Sequence, residues 1–379
     1  MNMDMEAESL PDWITISDSI IEEPDQPQDE AELLETQQLL ENSYQAAYKG
    51  LSIKENVLWP NDAYREFVTL MIHYHISDNI ANAFIAFFNK HANLEKSPLP
   101  RSMNQAKEVL NSISLPTAEF QKEAISISPD QECYFYYRPI INAVRSLLAV
   151  PSINENLVLE YNEKYHKGER IYEEQFNCNW WKHEKLSLLK GQRLLSIIIY
   201  SDTSSLDNLG KLSGHLIFIS LGNISTFQRN KPEAKALIGY LPVVKAQDIR
   251  MKNSVQFQNL QRTVFQRCWS MIIGPINDQP DIYLAIQNEI MLCRLRISQI
   301  LADMAEANKL TNVFQPSTTK HPCHTCLVSK DDLNNLNLLN IIYRTPSNMK
   351  KAIAMDLASE YSLHIEHNIF WDIRFDSKS

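Results

Sequence analysis

The chain has 379 residues, 44% of them hydrophobic, which is enough for two or three domains with real cores. The net charge of −10 argues against a generic phosphate binder, and no run approaches the roughly 18 apolar residues of a membrane span. With 8 Gly and no GxGxxG or Walker-type loop, the usual nucleotide-binding enzymes are excluded, as is a small-molecule enzyme built on them.

Charge is uneven along the chain. No Lys or Arg precedes Lys49, while Asp4, Glu6, Glu22, Glu23, Asp25, Asp29 and Glu30 accumulate. Residues 1–45, with Pro24 and Pro27, read as a disordered acidic tail. The first residues lack the basic and apolar regions of a secretory signal. The six Cys suggest reduced thiols, so the expected location is the nucleus or cytoplasm.

Residues 46–116 read as a helical module. Asn61-Asp62 starts a helix carrying Tyr64, Phe67, Val68, Met71 and Ile72 at helical spacing, and Ile80, Phe84, Ile85 and Phe88 form the next face. Met103 to Ile113 makes a third helix. His73, His75 and His91 lack ligand spacing and are expected on helix surfaces. Residues 117–190 form an α+β linker region, with a strand at Glu132 to Tyr137 and a helix from Pro139 to Val150. The pair Trp180-Trp181 either stacks on bases or anchors this region against a core.

The most informative stretch follows. Leu194 to Tyr200 is a buried-strand run ending on Ser201-Asp202, His215 to Leu221 is a second strand, and Ile238 to Val244 is a third. Gln247 to Gly274 reads as a long helix, and Ile297 to Ala302 is an apolar run ending on Asp303, with Glu306 close behind. Ile282 to Arg294 is ambiguous between helix and strand. Three close strands, a helix and another strand is the order of a ribonuclease H-like sheet. The fold expected for residues 191–328 is therefore α/β, a mixed sheet flanked by helices. On spacing alone, Asp202 is either a strand-end acid of a site or the cap of a turn. Asp331 to Asn340 and Ser347 to Tyr361, within a last region of residues 329–379, read as polar helices.

Cys323 and Cys326 have the spacing of one zinc knuckle, and His364 and His367 supply an HxxH that could complete four ligands. Arg229, Lys231 and Lys235, extended by Lys245, Arg250 and Lys252, are the best local candidates for DNA phosphate contact, or else an ordinary solvated face.

The blocks WPNDAYREF, FFNKHANLEKSPLP, YYRPI, NWW, YSDTSSLDNLGK, ISLGNI, QRNKPEAK, GYLP and HPCHTCLV occur in that order. Together they resemble the Plavaka group of transposases, relatives of CACTA-type cut-and-paste elements, over roughly Trp59 to Ile373. The resemblance implies a ribonuclease H-like core that uses three acids and Mg²⁺ or Mn²⁺ to cleave and join transposon DNA ends. It places the first acid on Asp202 and the second on Asp303, with Glu306 as companion. In this block Met304 and Ala305 stand where the family has an aromatic residue and a proline, and Gly214 departs from the pattern after Gly-Lys. The family's third acid and its partner histidines lie downstream of this chain's last residue, Ser379. The expectation is a C-terminally truncated, inactive transposase fragment, with zinc held weakly if at all. A non-catalytic DNA-binding or regulatory protein is the alternative, and self-association stays open.

Overall fold

The computed structural model describes residues 30–52, 59–74, 76–112, 116–128, 131–205, 213–246, 248–315 and 319–373. The acidic residues 1–29 and His75 lie outside them. The chain divides after Leu39 into two units, and the second, Leu40–Ser379, carries the sheet.

The helices are α1 (Glu30–Ser52), α2 (Asp62–His73), α3 (Asp78–His91) and α4 (Met103–Ser112). Strands β1 (Gln121–Ser128) and β2 (Gln131–Tyr137) precede α5 (Ile140–Leu148) and α6 (Pro151–Asn154). A small hairpin, β3 (Lys164–His166) with β4 (Glu169–Ile171), leads to α7 (Asn179–Leu186). Then come β5 (Arg193–Ser205), β6 (Ser213–Leu221), α8 (Thr226–Arg229), β7 (Ala236–Leu241), α9 (Ile249–Lys252) and α10 (Val255–Asp278). The last elements are β8 (Asp281–Ile286), β9 (Glu289–Leu301), α11 (Met304–Leu310) and α12 (Pro346–Ala354). No helix among the described residues is long and apolar enough to cross a membrane.

Seven strands form one mixed sheet in the order β1-β2-β7-β6-β5-β9-β8. Its centre is β5, where Leu194, Leu195, Ile197 and Ile199 are buried, as a strand covered on both faces requires. β5 runs antiparallel to β6 and parallel to β9, and β6 runs antiparallel to β7. A parallel neighbour needs a crossover, and α10 lies on that connection, between β7 and the β8–β9 hairpin.

One face of the sheet is covered by α5 and α10. Val144 and Leu147 from α5, Trp269 and Ile272 from α10, and Leu195, Ile197, Ile217 and Ile219 from the sheet belong to one core. Gly239 faces this layer, where a Cβ would lie in ordinary van der Waals contact with Ile272 and Phe135 at 3.4 Å. The other face is covered only in part. Trp181 packs with Phe176 over Leu194 at the start of β5, so the tryptophan pair anchors a core here. Helices α2 to α4 enclose a separate cluster around Tyr64, Val68, Met71 and Met103, capped by Asn61 as expected.

Several expectations are corrected. Helix α1 occupies Glu30–Ser52, where residues up to 45 read as tail. Its second half is tied to β8, with Ser43 Oγ accepting from Tyr283 N at 3.0 Å and Tyr44 meeting the Tyr283 ring edge-on at 5.3 Å. Residues 331–340 are turns after a short 3-10 segment, Lys330–Asp332, rather than a helix. Asparagines compete for the backbone there: Asn335 Oδ1 accepts from Asn337 N, and Asn340 has φ 62°.

Candidate active site

Asp202 and Asp303 come together because β5 and β9 are parallel neighbours. Tyr200 is in register with Leu301, and each aspartate lies two residues further along its strand direction. Asp202 is half-buried and Asp303 exposed. Each carboxylate is oriented by one local bond. The Tyr200 hydroxyl donates to Asp202 Oδ2 at 2.9 Å. The Glu306 backbone N–H donates to Asp303 Oδ1 at 2.7 Å, making Asp303 the cap of α11. The hydrogen bond to Asp202, then burial, then the charges of Asp202 and Asp303 raise the Tyr200 phenol above its usual range, so it stays a donor.

Alternation along β5 sends Ser201 to the opposite side from Asp202. There a buried polar group assembles. His215 Nε2 lies 2.8 Å from Glu306 Oε1 and 2.9 Å from Ser201 Oγ, and Lys309 Nζ reaches Glu306 Oε2 at 3.3 Å. Burial disfavours ionised Glu306, but the hydrogen bond from His215 and the charges of His215 and Lys309 outweigh it and hold the carboxyl below its ordinary range. This group edges a cleft of about 470 Å³ lined also by Thr203, Gln258, Arg262 and Phe265. His215, Ser201 and Tyr200 escape a motif-based reading because strand alternation sets Tyr200 beside Asp202, and only the β5–β6 pairing sets His215 beside Ser201 on the other face. The one available signal is the alternation of β5 and β6.

The basic stretch is elsewhere. β6 is antiparallel to β5, so α8 and the residues after it lie at the end of the sheet away from Asp202. The offset is the five residues from Ile197 to Asp202, roughly 17 Å. Arg229 is committed to Glu174 at 2.9 Å and to Ile224 O at 2.6 Å, Lys231 sits over the Phe227 ring at 5.2 Å, and Lys235 is exposed. The exposed Lys245, Arg250 and Lys252 follow β7 and lie at the Asp202 end instead.

The cysteine pair is built around Arg344. Its guanidinium donates to Cys323 O at 2.8 Å, His321 O at 2.9 Å and Tyr361 O at 2.7 Å. Burial opposes ionisation of Cys323, but hydrogen bonds from Thr325 and Cys326 prevail and lower its pKa, while burial raises that of Cys326. His364 is packed against Phe314 at 4.6 Å, and burial, helped by Arg262, lowers its pKa to about 4. His367 pairs with Asp372 at 3.0 Å. Among the described residues no three His, Cys, Asp or Glu side chains converge where a metal could sit.

A family model described as Plavaka transposase matches residues 101–374. A search of curated proteins gives no match. The matched span runs from the end of the helical module through β1 to the last described residues, and includes both aspartates and the cysteine pair. It covers well over half of the chain. The chain therefore belongs to the Plavaka transposase family.

Proposed function

We propose that this chain is the DNA-processing core of a cut-and-paste transposase, with Asp202 and Asp303 as its metal-holding carboxylates. One observation carries this reading: a carboxylate inside β5 and another just past the end of its parallel neighbour β9, each two residues beyond the paired Tyr200 and Leu301, within a family of transposases. The order β7-β6-β5-β9, three antiparallel strands and a parallel fourth, supports a ribonuclease H-like core. Two hard oxygen donors suit Mg²⁺ or Mn²⁺, which keep several waters and take phosphate oxygens as further ligands. When bound, such ions supply activation of the attacking oxygen and neutralisation of the leaving one. Tyr200 and the Glu306 N–H hold the two carboxylates in place for this, and Glu306 itself is occupied by His215. Water is the nucleophile for cleavage, and a DNA 3′-hydroxyl for strand transfer. Transposon ends in the nucleus are the substrate of this reading.

The alternative reading is a non-catalytic DNA-binding or regulatory protein of the same family, which holds transposon-end DNA without turnover. Purified chain with Mg²⁺ or Mn²⁺ should leave labelled transposon-end DNA uncut above background. Mn²⁺ binding followed by electron paramagnetic resonance should be weak and abolished by Asp202→Ala or Asp303→Ala. Robust cleavage abolished by Asp202→Ala would show that a third ligand is supplied from within the chain. Manganese binding indifferent to both substitutions would sink the assignment of the site.

Zinc, in the same reading, is at most a weak ligand of Cys323 and Cys326. Elemental analysis should give well under one zinc per chain, unchanged by His364→Ala. Stoichiometric zinc lost with that substitution would contradict the geometry.

A further inference from the structure

Residues paired across neighbouring strands point to the same side of a sheet. Lys122 on β1 pairs with Tyr136 on β2, Tyr136 with Tyr240 on β7, Tyr240 with Leu216 on β6, and Leu216 with Asp202 on β5. A single transverse row thus crosses five strands and ends on the candidate catalytic carboxylate. Four steps of about 4.8 Å give it a length of roughly 19 Å. The row lies on the face away from α5 and α10. Its neighbours Phe135, Gly239 and Ile217 turn the other way and are buried under α10.

This face is aromatic and open. Tyr136 is 44% exposed, Tyr240 40%, and Tyr134, two residues before Tyr136 on the same side, 44%. Phe120 adds a ring 5.6 Å from Tyr240. Lys122 Nζ sits 3.9 Å from the Tyr134 ring centroid and 5.9 Å from that of Tyr136. Exposed rings at strand spacing are costly to leave in water and mark an interaction surface.

We propose that this face is a track for an unpaired DNA strand, whose bases stack on Tyr136 and Tyr240 and whose backbone is thereby led to Asp202. The inference rests on the DNA-processing reading above and adds the form of DNA and its path. The track runs in unbroken register into the candidate site, which argues for substrate as the occupant. An unpaired strand fits better than a duplex, because its bases expose the π-faces that stack on rings. Duplex affinity comes instead from clustered Lys and Arg, whereas the row holds one lysine and Glu132 accepts from the Tyr134 hydroxyl.

Fluorescence anisotropy with labelled oligonucleotides, in EDTA so that no cleavage intervenes, tests this. The chain should bind a single-stranded oligonucleotide more tightly than the matching duplex, with a shallow dependence on salt. Tyr136→Ala and Tyr240→Ala should each weaken binding about tenfold. Tyr136→Phe should restore it, and Lys190→Ala, at an exposed residue before the start of β5, should leave it unchanged. Single-strand binding indifferent to both alanine substitutions, or a preference for duplex, would overturn the track while leaving the DNA reading intact. Failure to bind DNA of either form would overturn both. A dimer that Tyr136→Ala converts to monomer in light scattering would show that a second copy covers this face, and would also overturn the track.

Discussion

Glu306→Ala is expected to lower the free energy of unfolding by about 3 kcal/mol, the lower end of the range for a buried pair broken on one side. The Glu306 side chain is 4% exposed and joins His215, Ser201 and Lys309 beneath the end of β5. Removing it leaves the His215 ring and the Ser201 hydroxyl, largely shielded from water, with each other as partners but without the acceptor that joins them to Lys309. The lower end applies because Lys309 is half exposed and can turn to water. Glu306→Gln keeps the shape and an acceptor and should cost less. The pH dependence has a defined sign. The folded pKa lies below the ordinary carboxyl value, so in that window the unfolded chain binds more protons than the folded one. The stabilisation is complete above the unfolded pKa and fades as pH falls through the folded one. Urea titrations should show the gap between wild type and Glu306→Ala at pH 7 and its shrinkage below about pH 5. A loss under about 1 kcal/mol at pH 7 would mean that the pair is solvated rather than buried.

Trp269→Ala should cost about 3–5 kcal/mol, the range for a large aromatic removed from a close-packed core. Trp269 is fully buried in α10, with Phe370 at 5.2 Å and Phe265 at 6.2 Å between ring centroids. It joins the helix that backs the sheet to Phe370, near the last described residues. Its indole N–H finds no hydrogen-bond partner among the described residues. Trp269→Phe removes that unpaired donor with part of the volume and should cost far less. Equal losses for the two substitutions in denaturant titrations would assign the cost to the indole N–H or to strain instead of the cavity.

How far the fold can be read from sequence varies strand by strand. β5, β6 and β7 are legible because they sit mid-sheet and carry β-branched runs or strict alternation. β1 is not, because an edge strand reading Gln-Lys-Glu-Ala-Ile-Ser-Ile-Ser turns Gln121, Lys122, Glu123 and Ala124 to water, with Ile125 buried. β8 and β9 are ambiguous because their hairpin turns on Gln287-Asn288, with φ of 50° and 64°, without the glycine that signals such a turn. Asp331 to Asn340 reads as a polar helix, but Leu336 and Leu339 have no core to face and are almost fully exposed.

By itself the sequence determines the family and the buried run that becomes the centre of the sheet, while β5 continues past Asp202 to Ser205, beyond where that run ends. These are local matters: motif blocks, and apolar residues that must leave water wherever the strand goes. What pairs with what is decided only in three dimensions. Parallel pairing of β5 with β9 makes the two aspartates neighbours, and the antiparallel course of β6 removes Arg229 and Lys231 from them. The same pairing aligns Tyr136, Tyr240 and Asp202 in one row from three distant parts of the chain. Register is a property of the sheet rather than of any strand, since sliding a strand by one residue turns every side chain to the other face.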